Sequence, residues 1–519
     1  MRKILIPLLC LIAIYNASFA QNVGIGTSNP HAAAMLDVTS TDKGFLPPRL
    51  STAERNAMPA KTAGLVIFNT SSNCLEVYNG ANWINLCSSL PSTILPKTLL
   101  GGNQDDRAYS IRQTADSGYI IAGTSASSQD GDVSGINQGG LDCWIVKLSK
   151  TGTIQWNKIM GGSGYEELME IKQTADNGYV FCAISSSSAE GDITDSNHGQ
   201  YDYWVVKLDA AGNKEWDKLL GGDQYDYPTS IVQAADGGYI VGGYSYSSAN
   251  GDVTPTSHGN SDFWLVKLSS TGSITWNVLR GGNGEEELRS LQQTSDGGYI
   301  ATGSSTFGVS GDVTNPVNGV YDFWVLKVTG TGTVTWNQTI GGNNEEFSFS
   351  VQETADGGYI VAGNSNSAAS GTITESTHGD FDFLIVKLNA SGNIVWNKML
   401  GGTFEERVYE VMQTQDGGYI LAGHSLSSNT GNVNATNAGL EDAWIVKLDG
   451  SGNILWNKLY GGNNADFATS IRQTIDGGFI VGGYTNSSAS GTVTGTNHDP
   501  SGASADYWVI KLDANGNIE

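Results

Sequence analysis

Glycine pairs begin at Gly101, Gly161, Gly221, Gly281, Gly341, Gly401 and Gly461, a spacing of 60 residues held through seven units. A fixed period of this length marks one supersecondary unit copied and stacked, because no single copy can bury its own apolar face. Architecture is therefore read from what the units share, and function from where they differ.

Four apolar runs recur within each unit, separated by turn signals. In the fifth unit they are FSFSVQET, GYIVAGNS, FDFLIVKL and NIVWNKML. Asp356-Gly357-Gly358 joins the first pair and NASG the second, and Asp-Gly is a strong hairpin signal. Each unit is thus predicted to be a four-stranded antiparallel sheet. The two middle runs are almost continuously apolar, as in strands covered on both faces, whereas the last is more polar, as at an outer rim. Stacked radially, the seven sheets predict an all-β fold, a seven-bladed β-propeller. A β-solenoid fits less well, because its rungs are shorter and lack paired hairpin turns. The seventh unit ends in DYWVIKLDANGNIE, before a fourth strand, while TILPKTLLGG from Thr93 to Gly102 matches NIVWNKMLGG in register. The N-terminal strand is expected to supply the missing one and close the ring.

The phrases DGGYIVAG, DFWIVKL and WNKxLGG resemble those of secreted bacterial β-propeller repeat proteins, similar in blade layout to kelch propellers. That resemblance covers residues 93–519 and implies the fold more than any activity. Ahead of it, QNVGIGTSNP and DKGFLPPRLSTAER resemble an N-terminal module of bacterial surface proteins with tail-fibre-like segments.

The chain opens MRK, runs apolar through ILIPLLCLIAI and reaches the small residues Ser18 and Ala20 before Gln21. This is the pattern of a secretory signal peptide. Leu9 before Cys10 is too bulky for a lipoprotein signal, and no later stretch reaches the roughly 18 apolar residues of a membrane helix. The expected organisation is a signal peptide at 1–20, a small N-terminal β module at 21–90 and the propeller at 91–519, with the mature protein secreted or on the outer cell surface. In CLEVYNGANWINLC, Cys74 and Cys87 face each other across a hairpin turned at Asn79-Gly80. An exported protein is expected to join them in a disulfide, making the module a cap or attachment piece.

A net charge of −25 excludes nucleic acid and anionic membrane as partners, since both require a basic face. The long loops between second and third strands share one face of the propeller with the connectors between blades. On that face, five residues after the first glycine of each pair, stand Asp106, Glu166, Asp226, Glu286, Glu346, Glu406 and Asp466. Such a ring suits Ca²⁺, or else each carboxylate accepts backbone N–H bonds and joins blades. Repetition in every unit favours the joint, and no metal or other cofactor is expected. His198, His258, His378 and His498 recur at one loop position in different blades and so cannot converge on an ion.

Departures from the repeat carry the functional reading. Tyr165, Tyr225 and Tyr227 stand beside Glu166, Asp226 and Glu286 on blades two to four. Rings cover the apolar faces of sugars and carboxylates accept hydroxyl protons, so these six form the candidate ligand site; solvated loop variation would account for them without a ligand. The expected function is a secreted or cell-surface binding or adhesion protein recognising a polysaccharide, or a cell-surface protein, through the long-loop face. The alternative is a polysaccharide-active enzyme such as a glycoside hydrolase, endoglucanase-like, which needs two carboxyls with one pKa raised. No catalytic residue is singled out, and Cys143 and Cys182 lie in strand runs as buried free thiols.

Overall fold

The computed structural model describes residues 23–25, 36–38, 46–72, 74–80, 82–86, 99–306, 308–499 and 501–519. The expected signal peptide, Cys87 and the Thr93–Thr98 part of the closing strand lie outside them. The chain divides into two compact units, Met1–Pro91 and Ser92–Glu519.

Among the described residues, the second unit contains seven four-stranded antiparallel sheets, one for each repeat. Blade two shows the pattern, with strands Glu166–Gln173, Tyr179–Ser185, Asp202–Leu208 and Lys214–Leu220 paired in chain order. The hairpin between its first two strands needs a left-handed residue, which Asn177 supplies at φ 66° and Gly357 supplies in blade five at 77°. Glycine adopts that conformation freely and asparagine tolerates it.

The second and third strands of blade two are buried at every position, because each sheet is covered on both faces by its neighbours. The apolar core accordingly lies between blades. Ile120, Ala122 and Ile145 of blade one pack with Leu168, Phe181 and Trp204 of blade two. Trp144, Trp204, Trp264, Trp324, Trp444 and Trp508 are the recurring buried wedges, and Leu384 takes that place in blade five. Truncating one of them to alanine costs about 3–5 kcal/mol.

Each third strand also buries a lysine, which reaches back to the aspartate of its own hairpin turn. Lys147 meets Asp116 at 2.8 Å, Lys327 meets Asp296 at 2.8 Å and Lys387 meets Asp356 at 3.0 Å. The ammonium also donates to the following carbonyl, as Lys387 does to Leu388 at 2.9 Å. A buried charge persists only when paired and hydrogen-bonded in this way.

The ring closes on its first blade. Leu99–Leu100 pairs antiparallel with the third strand of blade seven, Leu100 opposite Tyr507 and Leu99 opposite Trp508. Tyr507 donates across the seam to the carbonyl of Trp144 at 2.9 Å, and Thr469 donates to that of Ala108 at 2.9 Å. Leu100, Ala108, Ile111, Ile480 and Val509 share one apolar cluster there.

In the first unit, Val23–Ile25 pairs parallel with Leu36–Val38. A separate sheet runs Arg49–Leu50, Val66–Asn69, Cys74–Tyr78 and Trp83–Asn85, parallel at its first pairing and antiparallel thereafter. The helix Thr52–Asn56 is started by a capping box between Ser51 and Glu54, which satisfies orphan N–H groups at its first turn. Gly80, at φ 101°, turns the last hairpin. Among the described residues no helix is long and apolar enough to cross a membrane.

Candidate ligand-binding face

Period-two alternation decides where the candidate residues go. Tyr225 and Tyr227 project to one side of the chain and Asp226, between them, to the other. The structure thereby corrects the grouping of all six as one surface site. Glu166, Asp226 and Glu286 are fully buried. Each closes the loop that begins at its glycine pair: Glu166 accepts from the N–H of Gly162 at 2.8 Å and from the Ser185 hydroxyl at 2.8 Å. Asp226 accepts from Gly222 at 2.8 Å and from Ser247 at 3.1 Å, and Glu286 from Gly282 at 2.6 Å and Ser305 at 2.8 Å.

Behind each of these acids lies a second carboxylate, from the start of the preceding blade's third strand. A Cβ placed on Gly221 would fall 2.3 Å from Asp202 Oδ1 and 2.9 Å from Asp226 Oδ2, so the two carboxylates converge on the bare face of that glycine. The same geometry recurs at Gly101, Gly161, Gly281, Gly341, Gly401 and Gly461. Glycine is obligatory there because any side chain would occupy the space between the acids. Burial raises Asp106, Asp226 and Glu286 to about 7, and Asp142, Asp322 and Asp442 to about 6. These raised carboxyls are sealed from solvent, so they offer a hydrolase no acid that a substrate can reach. His198 and His378 cap the outer member of two pairs, each donating its backbone N–H to Asp202 or Asp382 at 2.8 and 2.7 Å. Among the described residues no group of three or more acidic, histidine or cysteine side chains is placed to hold a metal ion.

The tyrosines, in contrast, come together. Tyr201 ends the long loop of blade two and bridges backbone-to-backbone with Tyr225. Its ring lies 6.0 Å from that of Tyr165, 5.4 Å from Tyr225 and 5.7 Å from Tyr227. Tyr225 and Tyr227 stack at 5.9 Å with planes 10° apart, and Tyr227 stacks on Tyr244 at 5.0 Å. Tyr246 meets the edge of Tyr244 at 6.2 Å. Six phenols thus form one continuous ring-contact cluster over blades two and three. Tyr225 is exposed, Tyr165, Tyr201, Tyr227 and Tyr246 are half-buried, and Tyr244 is the buried floor. Burial pushes Tyr227 up to about 12, so its hydroxyl stays protonated and remains a donor.

The acids that accompany this shelf are Glu167, Glu285 and Glu287, each next in sequence to a buried one. Tyr165 donates to Glu167 at 2.6 Å, and Tyr321 donates to Glu285 at 3.4 Å. Arg289 pairs with Glu287 at 2.5 Å while its guanidinium lies 5.4 Å from the centre of the Tyr244 ring. Tyr201, Tyr244 and Tyr246 escaped sequence reasoning because they come from the second strand and its loop, outside the segment following the glycine pair.

The central axis is narrow and lined in part by charge. A β-bulge in every first strand turns residues such as Tyr109, Met169, Arg289 and Tyr409 toward it, as bulges re-aim side chains. The cavity they line holds about 100 Å³. Within it Glu170 pairs with Arg112 and with Lys172, both at 2.6 Å, and Glu410 pairs with Arg472. Burial opposes ionisation of Glu170, but Lys172 and Arg112 outweigh it and hold that carboxyl at about 2. These ion pairs line the cavity on the side of blades one, two, six and seven.

Comparison with known proteins adds the following. A family model described as a phage tail like trimerisation region matches residues 24–99. The regulatory protein FlaEY of Caulobacter vibrioides is 24% identical over 270 residues, which cover 48% of this chain and 28% of that protein. The chain therefore spans under a third of the length of that curated relative. Among solved structures, the Pan2 WD40 domain of Neurospora crassa is similar with a TM-score of 0.40 and 11% identity, over 72% of this chain and 85% of its own. YCF48 bound to D1 peptide has a TM-score of 0.37 and 9% identity, over 76% and 96%. A puromycin hydrolase has a TM-score of 0.44 and 11% identity, over 83% and 56%.

Proposed function

We propose that this chain is an exported binding protein that trimerises through its N-terminal unit and takes its ligand on the tyrosine shelf of blades two and three, flanked by acids of blade four. The ligand class is a glycan, held by stacking of sugar faces on Tyr165, Tyr201, Tyr225 and Tyr227 and by hydroxyl contacts to Glu167, Glu285 and Glu287. The single observation that carries this reading is the six-tyrosine cluster itself. Ring pairs recur at equivalent positions in other blades, Tyr321 with Phe347 at 4.9 Å and Phe467 with Tyr484 at 4.7 Å, but the run on blades two and three is made of phenols alone and includes the exposed Tyr225. The match of residues 24–99 to a trimerisation region supports the oligomeric part, and the N-terminal hydrophobic leader supports export. Three shelves on one particle would raise avidity for a repetitive polymer without any new contact.

A glycan-array screen of the full mature chain, followed by titration of any hit, tests the proposal. Aromatic anchors dominate binding energy, often by about 2 kcal/mol or more each. Replacing Tyr165, Tyr225 and Tyr227 by alanine together is expected to abolish binding while leaving the melting temperature within a few degrees. Unchanged affinity of the triple variant, or no glycan bound at all, refutes the shelf.

A further inference from the structure

The sheet of the first unit is arranged inside out for a protein that stands alone in water. Its register pairs Val66 with Val77, Phe68 with Leu75, and Val77 with Ile84. Alternation therefore places Val66, Phe68, Leu75, Val77 and Ile84 on one face and Ile67, Asn69, Cys74 and Glu76 on the other. The second face is the buried one: Asn69 is 0% and Glu76 2% exposed. Arg55 of the short helix pairs with Glu76 at 2.6 Å, Asn69 donates to Glu76 at 3.0 Å, and Ser72 donates to it at 3.1 Å. The apolar face is the open one, with Val66 37%, Leu75 39% and Ile84 37% exposed. A one-sided antiparallel sheet ordinarily does the reverse, with apolar residues inward and polar residues outward. Here the short helix shields a carboxylate, while Val66, Leu75 and Ile84 face solvent with Phe68 and Val77 half-buried beside them.

We infer that this face is the contact by which three copies of the chain join. The inference rests on the trimer proposed above and names the surface that makes it. Two observations fix the occupant as further copies of the same chain. The open strands lie wholly inside residues 24–99, which match a trimerisation region. The side chains Val66, Phe68, Leu75, Val77 and Ile84 are uncharged, and the charge beside them is cationic, the Arg49 guanidinium 5.2 Å from the centre of the Phe68 ring, so a chain of net charge −25 meets no added negative charge when this face approaches its own copies. Three such faces turned toward a common threefold axis build one apolar prism, with each sheet's polar network on the outside. Cyclic symmetry closes the assembly, so no apolar face remains to recruit a fourth copy.

Sedimentation and light-scattering mass of the full mature chain test this directly. The wild type is expected to be a trimer, and Leu75→Glu combined with Ile84→Glu is expected to be a monomer with an unshifted propeller melting transition. Ile475→Glu, which alters a 71% exposed residue of the propeller, is expected to remain trimeric. Val66→Cys, treated in dilute solution with a short bismaleimide, is expected to give covalent dimers that Lys61→Cys does not give. Should the double variant fail to fold, this crosslink decides the matter. A monomeric wild type overturns both the trimer and the face. A trimeric wild type whose folded double variant stays trimeric, with no crosslink from Val66→Cys, overturns the face alone.

Discussion

Stability of the propeller is expected to fall as pH rises from 5 to 8, and Asp226 shows why. Burial raises this carboxyl from 3.8 to about 7, with the Asp202 carboxylate adding to the rise. A folded-state pKa above the unfolded one means that, between about pH 4 and 7, the folded protein holds a proton the unfolded chain has released. Stability therefore declines as pH rises through that window and levels off above it. A difference of about 3 pH units corresponds to about 4 kcal/mol for one such group. The neighbouring carboxylate shares the proton, so one proton is counted for each pair. At roughly 2.1 cal/mol/K per residue, a unit of about 430 residues has an unfolding entropy near 0.9 kcal/mol/K, and one pair shifts the melting temperature by about 4–5 °C. Several pairs acting together make the difference between pH 5 and pH 8 on the order of 10 °C or more.

The hairpin aspartates act in the opposite sense and in a different window. A hydrogen bond from Lys327 holds Asp296 at about 2, and one from Thr354 holds Asp356 there. Their stabilisation is present above their ordinary value of 3.8 and is lost only as pH falls toward 2. The optimum should lie near pH 4–5, where the buried pairs are protonated and the hairpin aspartates are still ionised. Scanning calorimetry across buffers of matched ionic strength measures the profile. Asp226→Asn isolates one pair, because the amide is neutral at every pH and keeps an acceptor for Gly222 and Ser247. That variant should match the wild type below about pH 4, melt about 2 °C higher at pH 5 and about 4–5 °C higher at pH 8. A flat or rising wild-type profile between pH 5 and 8, or a variant less stable than the wild type at pH 8, would refute the reasoning.

Gly221→Ala would set a methyl group 2.3 Å from Asp202 Oδ1 and 2.9 Å from Asp226 Oδ2. It should cost about 1–3 kcal/mol or more, while Gly237→Ala, where no atom lies within 4 Å, should cost only the strain of its φ of 81°. Deleting residues 91–100 removes the Leu99–Leu100 partner of the last blade. The exposed edge should then lower the melting temperature and give aggregates by gel filtration; an unchanged melt would mean that the strand contributes nothing to closure. Cys143 and Cys182 are buried free thiols whose pKa burial pushes well up, so a thiol reagent should label neither until the chain is denatured. The mature denatured chain should then titrate two thiols without reductant and four with it, the difference being Cys74 and Cys87.

What the sequence disclosed follows from what each feature depends on. The strands, the turn glycines and the tryptophan wedges depend on residues within one repeat, so a single unit displays them and seven copies remove the ambiguity. The lysine–aspartate clasps join positions 31 residues apart within a unit, and the pattern shows both residues without showing that they touch. The carboxylate pairs are hidden more deeply, because their members belong to adjacent blades and only the ring brings them together. The tyrosine shelf was half legible: Tyr165, Tyr225 and Tyr227 stand out against the repeat, but Tyr201, which joins them, reads as one more loop residue. Assigning Glu166, Asp226 and Glu286 to the same surface failed for a simple reason. A residue present in all seven units answers to a need shared by all seven, which here is closing the glycine-pair loop.

The N-terminal sheet fails differently, and its failure is informative. LEV in Cys74–Tyr78 alternates apolar, polar, apolar, and alternation alone would send Leu75 and Val77 inward with Glu76 to solvent. The structure inverts that choice because Arg55, Asn69 and Ser72 are placed to hydrogen-bond Glu76, which makes its burial tolerable. A pattern of period two specifies two faces without naming which one is interior. The interior is decided by what covers each face, and for Leu75, Val77 and Ile84 that cover is not supplied by the sheet's own helix. An alternating strand whose apolar face stays open is therefore a statement about assembly, and it can be read only once the polar face has been seen to be the one that the chain itself encloses.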